Sequence, residues 1–94
     1  MFALNESLDI SNVVDCKLQY LEWLQQDSKI VVDAARVSRV DAAGIQLLVS
    51  LFESARLAEK DIRLENISEV LQEGIEVLGL KHRFMESQDV TRKT

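Results

Sequence analysis

The stretch Val-Ser-Arg-Val-Asp-Ala-Ala-Gly-Ile-Gln-Leu-Leu-Val-Ser-Leu-Phe, residues 37–52, constrains this chain more than any other. The extended apolar run Ile30-Val31-Val32-Asp33-Ala34 precedes it, and an amphipathic helical pattern runs through it. A nearly continuous β-branched run marks a strand buried in the centre of a sheet. Asp41 stands at the junction, where its carboxylate can cap the helix that follows by accepting the N–H of Ala43 or Gly44. That helix is expected over about residues 42–59. At 100° per residue, Ile45, Leu48, Val49 and Phe52 share one face. Leu47, Leu51 and Ala58 form a second stripe nearly opposite. Either a neighbouring helix covers this stripe, or part of it is a docking surface. Asp61-Ile62-Arg63-Leu64-Glu65 then alternates strictly, as a strand with one wet face does. The unit from 30 to 64 therefore reads strand–helix–strand, with parallel strands and a right-handed crossover.

The flanks complete the pattern. Phe2-Ala3-Leu4 and Leu8-Asp9-Ile10, separated by Asn5-Glu6-Ser7, suggest a small hairpin. Ser11 is a suitable cap for a helix over about 12–26. Its expected inner face is Val13, Tyr20 and Leu24, widened by Val14 and Leu21 on one side and by Cys16 and Trp23 on the other. Asn66 or Ser68 caps a third helix over about 69–78, with Val70, Leu71, Ile75 and Leu78 inward and Gly79 as a left-handed C-cap. Leu80 and Phe84 can fold back on the core. The order is β-β-α-β-α-β-α, one α/β domain over 1–84, with 85–94 as a polar C-terminal tail.

Composition narrows the function. A chain of 94 residues with 47% hydrophobic content supports one modest core. No apolar run approaches the ~20 residues of a membrane span, and the first residues lack the basic and apolar regions of a signal peptide. The expected location is the cytoplasm. The net charge is −5. Residues 1–80 hold 14 acidic and 7 basic side chains, a body that repels phosphate backbones and disfavours nucleic acid.

Residue types that carry chemistry are sparse. His82 is the single histidine, in Lys81-His82-Arg83, with no Ser or Cys close in sequence to act with it. Cys16, the single cysteine, sits at helical spacing from Tyr20 and reads as a core residue. The carboxylates are scattered and form no metal-ligand pattern. Gly44, Gly74 and Gly79 are isolated and make no phosphate loop. The chain is expected to be neither an enzyme nor a metal or cofactor binder. What remains is the junction at Asp41. Small side chains at Ala42, Ala43 and Gly44 either admit a partner's backbone or an anion to the helix start, or fit beneath a neighbouring loop. Val37, Ser38, Arg39, Val40, Asp41, Ala42, Ala43, Gly44, Leu47 and Leu51 are the candidate partner-binding residues.

Three segments of the chain resemble the STAS domain, the module of anti-sigma-factor antagonists and sulphate-transporter tails. Leu8-Asp9-Ile10-Ser11-Asn12-Val13 is similar to the family's lead-in to its first helix. Ile30-Val31-Val32-Asp33 through Gly44-Ile45 is similar to its central strand and signature loop. Leu78-Gly79-Leu80 to Phe84 is similar to its Gly-Leu…Phe ending. The resemblance implies a compact stand-alone bacterial domain, a small mixed sheet with helices packed on one side. It implies a non-catalytic interaction module whose partner is a kinase-like anti-sigma factor, a chemotaxis-type signalling protein or a transporter ATPase. A cytoplasmic subunit of an ABC-type lipid transporter and a nucleotide-binding domain are the alternatives it leaves open. The family's signature Asp falls on Asp41 and its phospho-acceptor on Ala42, which has no hydroxyl. The resemblance therefore implies the unphosphorylated, binding-competent form, with Ser38 and Ser50 as the nearby hydroxyls.

Overall fold

The computed structural model describes residues 2–26 and 28–84. The expected polar tail at 85–94 lies outside the described residues. The main elements among the described residues follow in the order β1 (Phe2–Ala3), β2 (Ser7–Leu8), α1 (Val13–Gln26), β3 (Lys29–Asp33), β4 (Arg39–Val40), α2 (Ala42–Leu57), β5 (Asp61–Glu65) and α3 (Glu69–Val77). A 3-10 turn, Ile10–Asn12, leads into α1. The fold is the expected α/β arrangement, small sheets with helices packed on them. Every strand pairing among the described residues is parallel. β3 lies at the centre of β1-β3-β5, and β2 pairs with β4 separately.

The N-terminal hairpin expected from sequence does not form. Phe2 and Ala3 lie in register with Val32 and Asp33, whereas Ser7 and Leu8 lie in register with Arg39 and Val40. The two short strands serve different sheets because Asn5 and Glu6 step the chain sideways. The Glu6 carbonyl accepts the N–H groups of Ser38 and Arg39 at 2.8 and 3.1 Å. That pairing also turns part of the expected signature loop, Arg39–Val40, into a strand. Asp9, not Ser11, makes the cap before α1: its carboxylate accepts the Ser11 N–H at 3.2 Å and the Ser11 hydroxyl at 2.6 Å.

The core forms between the sheet and α2. Ile30 and Val32 of β3 are buried, as are Ile45, Leu48, Val49 and Phe52 of α2, which is the helix phase read from sequence. Leu51, on the opposite side of α2, is also buried, and Leu47 is half-buried. The covering element is α1: Tyr20, Leu21 and Leu24 line a shared seam with Leu47 and Leu51. α2 is therefore covered on two faces, by the sheet and by α1, and exposed on the third. α1 turns its Cys16, Tyr20 and Trp23 side inward. Trp23 stacks on Phe2 with centroids 5.1 Å apart and tilts against Tyr20 at 5.2 Å. These aromatic contacts rotate the helix so that Val14 and Leu21, expected to widen the core face, are exposed. In α3 only Leu71 and Ile75 are buried; Val70 and Leu78, also expected inward, are exposed.

The helix ends follow simple capping chemistry. The Ser68 hydroxyl accepts the Leu71 N–H at 3.2 Å at the start of α3. At its end Gly79 takes φ 69°, Gly79 N–H donates to Glu76 and Leu80 N–H to Ile75, a Schellman motif. Leu80 and Phe84 then pack on the core, Phe84 edge-on to Phe52 at 4.9 Å. α2 ends in the same bond pattern, Glu59 to Arg56 and Lys60 to Ala55, but the left-handed position is Glu59 at φ 60°. A non-glycine residue is strained there. Glu59→Gly is therefore expected to stabilise the domain by about 0.5–1 kcal/mol in chemical denaturation.

Candidate partner-docking site

The site is built where β2 crosses the start of α2. Gly44 occupies the third position of the helix and lies directly beneath the β2 backbone. A Cβ placed on it would sit 1.9 Å from the Leu8 carbonyl oxygen and 2.2 Å from its carbon. Only a residue without a side chain allows that crossing. Of the two roles open to the small residues, fitting beneath a neighbouring loop is thus the role of Gly44. Ala42 is different: it is exposed, at the first turn of α2, and Ala43 is half-buried.

Asp41 locks the crossing. Its backbone is extended at φ −143°, ψ 178°, as an N-cap residue requires. One carboxylate oxygen accepts the Gly44 N–H at 3.0 Å. The other accepts the Ile10 N–H, also at 3.0 Å, from a segment 31 residues away. The Asp41 N–H donates in turn to the Leu8 carbonyl at 3.2 Å. The N–H of Gly44 first, then those of Ile10 and Ala43, hold the Asp41 carboxyl below the ordinary aspartate value of 3.8. Sequence reasoning identified the cap but not its long-range arm to Ile10.

Of the residues singled out from sequence, Val37, Gly44 and Leu51 are buried and reach no partner; they shape the site from below. Ser38, Arg39 and Ala42 are exposed, and Val40, Asp41, Ala43 and Leu47 are half-buried. Leu47 lies on the α1 side of α2, away from the groove described next. An open groove of about 320 Å³ runs from the start of α2 to α3, lined by Val40, Asp41, Ala42, Ile45, Val70, Glu73, Gly74, Val77 and Leu78. The α3 wall was missed from sequence. Its signal was an excess of apolar residues, because Val70, Leu71, Ile75, Val77 and Leu78 are more than one buried face of a nine-residue helix needs. Gly74 lets α3 approach closely: a Cβ there would stand 2.7 Å from the Ile45 Cδ1 and 3.1 Å from the Val40 Cγ2.

The chain's other reactive side chains lie elsewhere. Cys16 is buried and desolvation pushes its thiol up from its ordinary value. The Tyr20 hydroxyl, also raised by burial, lies beside that thiol and has no full hydrogen-bond partner among the described residues. His82 is exposed in the helical stretch 81–84. Among the described residues, no three His, Cys, Asp or Glu side chains gather as metal ligands would.

A family model described as "Mlab, STAS domain" matches residues 1–87. The chain belongs to the STAS family. A search among curated proteins gave no match. The STAS domain is a regulatory, protein-interaction kind of module. Among the described residues no helix is long and apolar enough to cross a membrane.

Two outcomes test the junction. Gly44→Ala would ordinarily favour a helix interior by about 1 kcal/mol. Here the Leu8 backbone must move, so a net loss of about 1–3 kcal/mol is expected in urea unfolding. Asp41 has a lowered carboxyl, so its stabilisation is present above the ordinary aspartate value and is lost as pH falls through the lower folded one. In acid titrations of stability, Asp41→Asn is expected to flatten the limb below pH 3.8 relative to the native chain.

Proposed function

We propose that this STAS domain is a non-catalytic docking module that binds a protein partner through the exposed start of α2 and the apolar groove beside it. The observation that carries this reading is the juxtaposition of Ala42 with Val40, Val70, Val77 and Leu78 around one groove. Small and apolar side chains at an ordered helix start suit close contact with another backbone or an amphipathic helix. Asp41 and Glu73 on the same groove give it negative charge. That speaks against an anionic nucleotide. The pathway we favour is bacterial signal transduction in the cytoplasm, with a kinase-like anti-sigma factor or a chemotaxis-type protein as partner.

A second reading, a cytoplasmic subunit docked on the ATPase of a lipid transporter, is favoured by Ala42 itself. A subunit held permanently in an assembly needs no phosphorylation switch, and position 42 has no hydroxyl to modify. Both readings use the same surface and differ in the partner recovered from the native host.

Ala42→Asp places a carboxylate where a phosphate would stand in switching relatives. At a helix N-terminus that charge is neutral or stabilising by about 0.3–1 kcal/mol, so thermal unfolding should be unchanged or slightly raised. Affinity for the partner captured from the host should fall by about 2 kcal/mol or more, because the charge is buried unpaired in the interface. Unchanged affinity with an intact fold would move the interface away from the start of α2.

A further inference from the structure

The 3-10 turn and helix α1 carry a second apolar face outside the α2–α3 groove, with Leu21 at its edge where it also lines the α1–α2 seam. Ile10, Val14, Leu18 and Leu21 are 69%, 70%, 62% and 48% exposed. Their spacings of four, four and three residues align them in one ridge along the outside of the helix. In a heptad frame Val14 and Leu21 take position d and Leu18 takes the a position between them. Asp15 and Glu22 then fall at e, and Lys17 at g; all three are exposed. One border of the ridge is acidic and the other carries a lysine.

This arrangement of charge selects what can cover the ridge. In antiparallel pairing of two such helices, e faces e and g faces g, so carboxylates would meet carboxylates and lysine would meet lysine. In parallel pairing each g residue faces the e residue of the next heptad on the partner. Lys17 of each copy then faces Glu22 of the other, twice by symmetry. The acidic border also opposes an anionic lipid surface.

We propose that the chain self-associates through α1, as a parallel twofold dimer in which Val14, Leu18 and Leu21 form the seam and Lys17 pairs with Glu22 across it. The seam from Val14 to Leu21 spans little more than one heptad, so the dimer is reversible and depends on concentration. Ile10, at the leading end of the ridge, donates its N–H to Asp41. A parallel arrangement therefore brings the two Asp41–Ala42 surfaces to the same end of the dimer. This geometry follows from α1 alone and does not depend on which partner the groove takes.

Sedimentation equilibrium of the full chain from micromolar to near-millimolar concentration tests the proposal. A monomer–dimer equilibrium is expected. Leu18→Glu, an exposed position where the fold should persist by circular dichroism, should weaken it by about tenfold or more. Lys17→Glu and Glu22→Lys should each weaken it, and the double exchange should restore it. Mild oxidation supplies a second readout. Val14→Cys and Leu21→Cys, made separately, should each give a disulfide-linked dimer, because each d residue meets its own counterpart in a parallel pair. The native chain, with Cys16 buried, should not. A monomer at every concentration, indifference to Leu18→Glu, tighter association with Glu22→Lys, or linkage at only one of the two engineered cysteines would overturn the parallel α1 dimer.

Discussion

The two-armed carboxylate of Asp41 is the interaction on which the rest of the structure depends. One arm fixes the start of α2 through Gly44, and the other fixes the turn that leads into α1 through Ile10. A single side chain thereby sets the relative position of the two helices that cover the core. The contact beneath it, with Gly44 against the Leu8 carbonyl, removes any slack. Neither half works alone: without glycine the strand could not cross, and without the carboxylate two backbone donors would lose their acceptor.

This arrangement accounts for where the proposed binding surface lies. α2 is apolar on both long faces because the sheet covers one and α1 the other. Its remaining face, Gln46, Ser50, Ser54 and Leu57, is exposed and mostly polar. Its N-terminal end is ordered by Asp41, carries an alanine at its exposed first position, and is flanked by the apolar wall of α3. The domain presents there a small, mildly acidic surface. α1 lends one face to the core and leaves Val14, Leu18 and Leu21 exposed on the other.

Much of this was legible in the residues. Ile30-Val31-Val32, the phase of Ile45, Leu48, Val49 and Phe52, the strict alternation of 61–65 and the Gly79 cap all followed from local periodicity and cap chemistry. What was not legible depended on contacts distant in sequence. The separate destinations of β1 and β2 are set by pairing with β3 and β4, more than thirty residues away in the case of Ser7 and Arg39. The rotation of α1 is set by Trp23 on Phe2, a contact no helical wheel contains. The site was half visible: Asp41 and Ala42 stood out, whereas the Ile10 arm and the α3 wall form only when the chain is folded.

One carboxylate joins the starts of α1 and α2 into a single unit. Amide hydrogen exchange of Ile10 and Gly44 by NMR measures this directly. In the native chain both amides should be protected, although Ile10 itself is exposed, and Asp41→Ala should abolish the protection of both together while core amides such as those of Val32 stay slow. Retention of Ile10 protection in that variant, or unequal loss at the two amides, would contradict the account and show that the two helix starts are held independently.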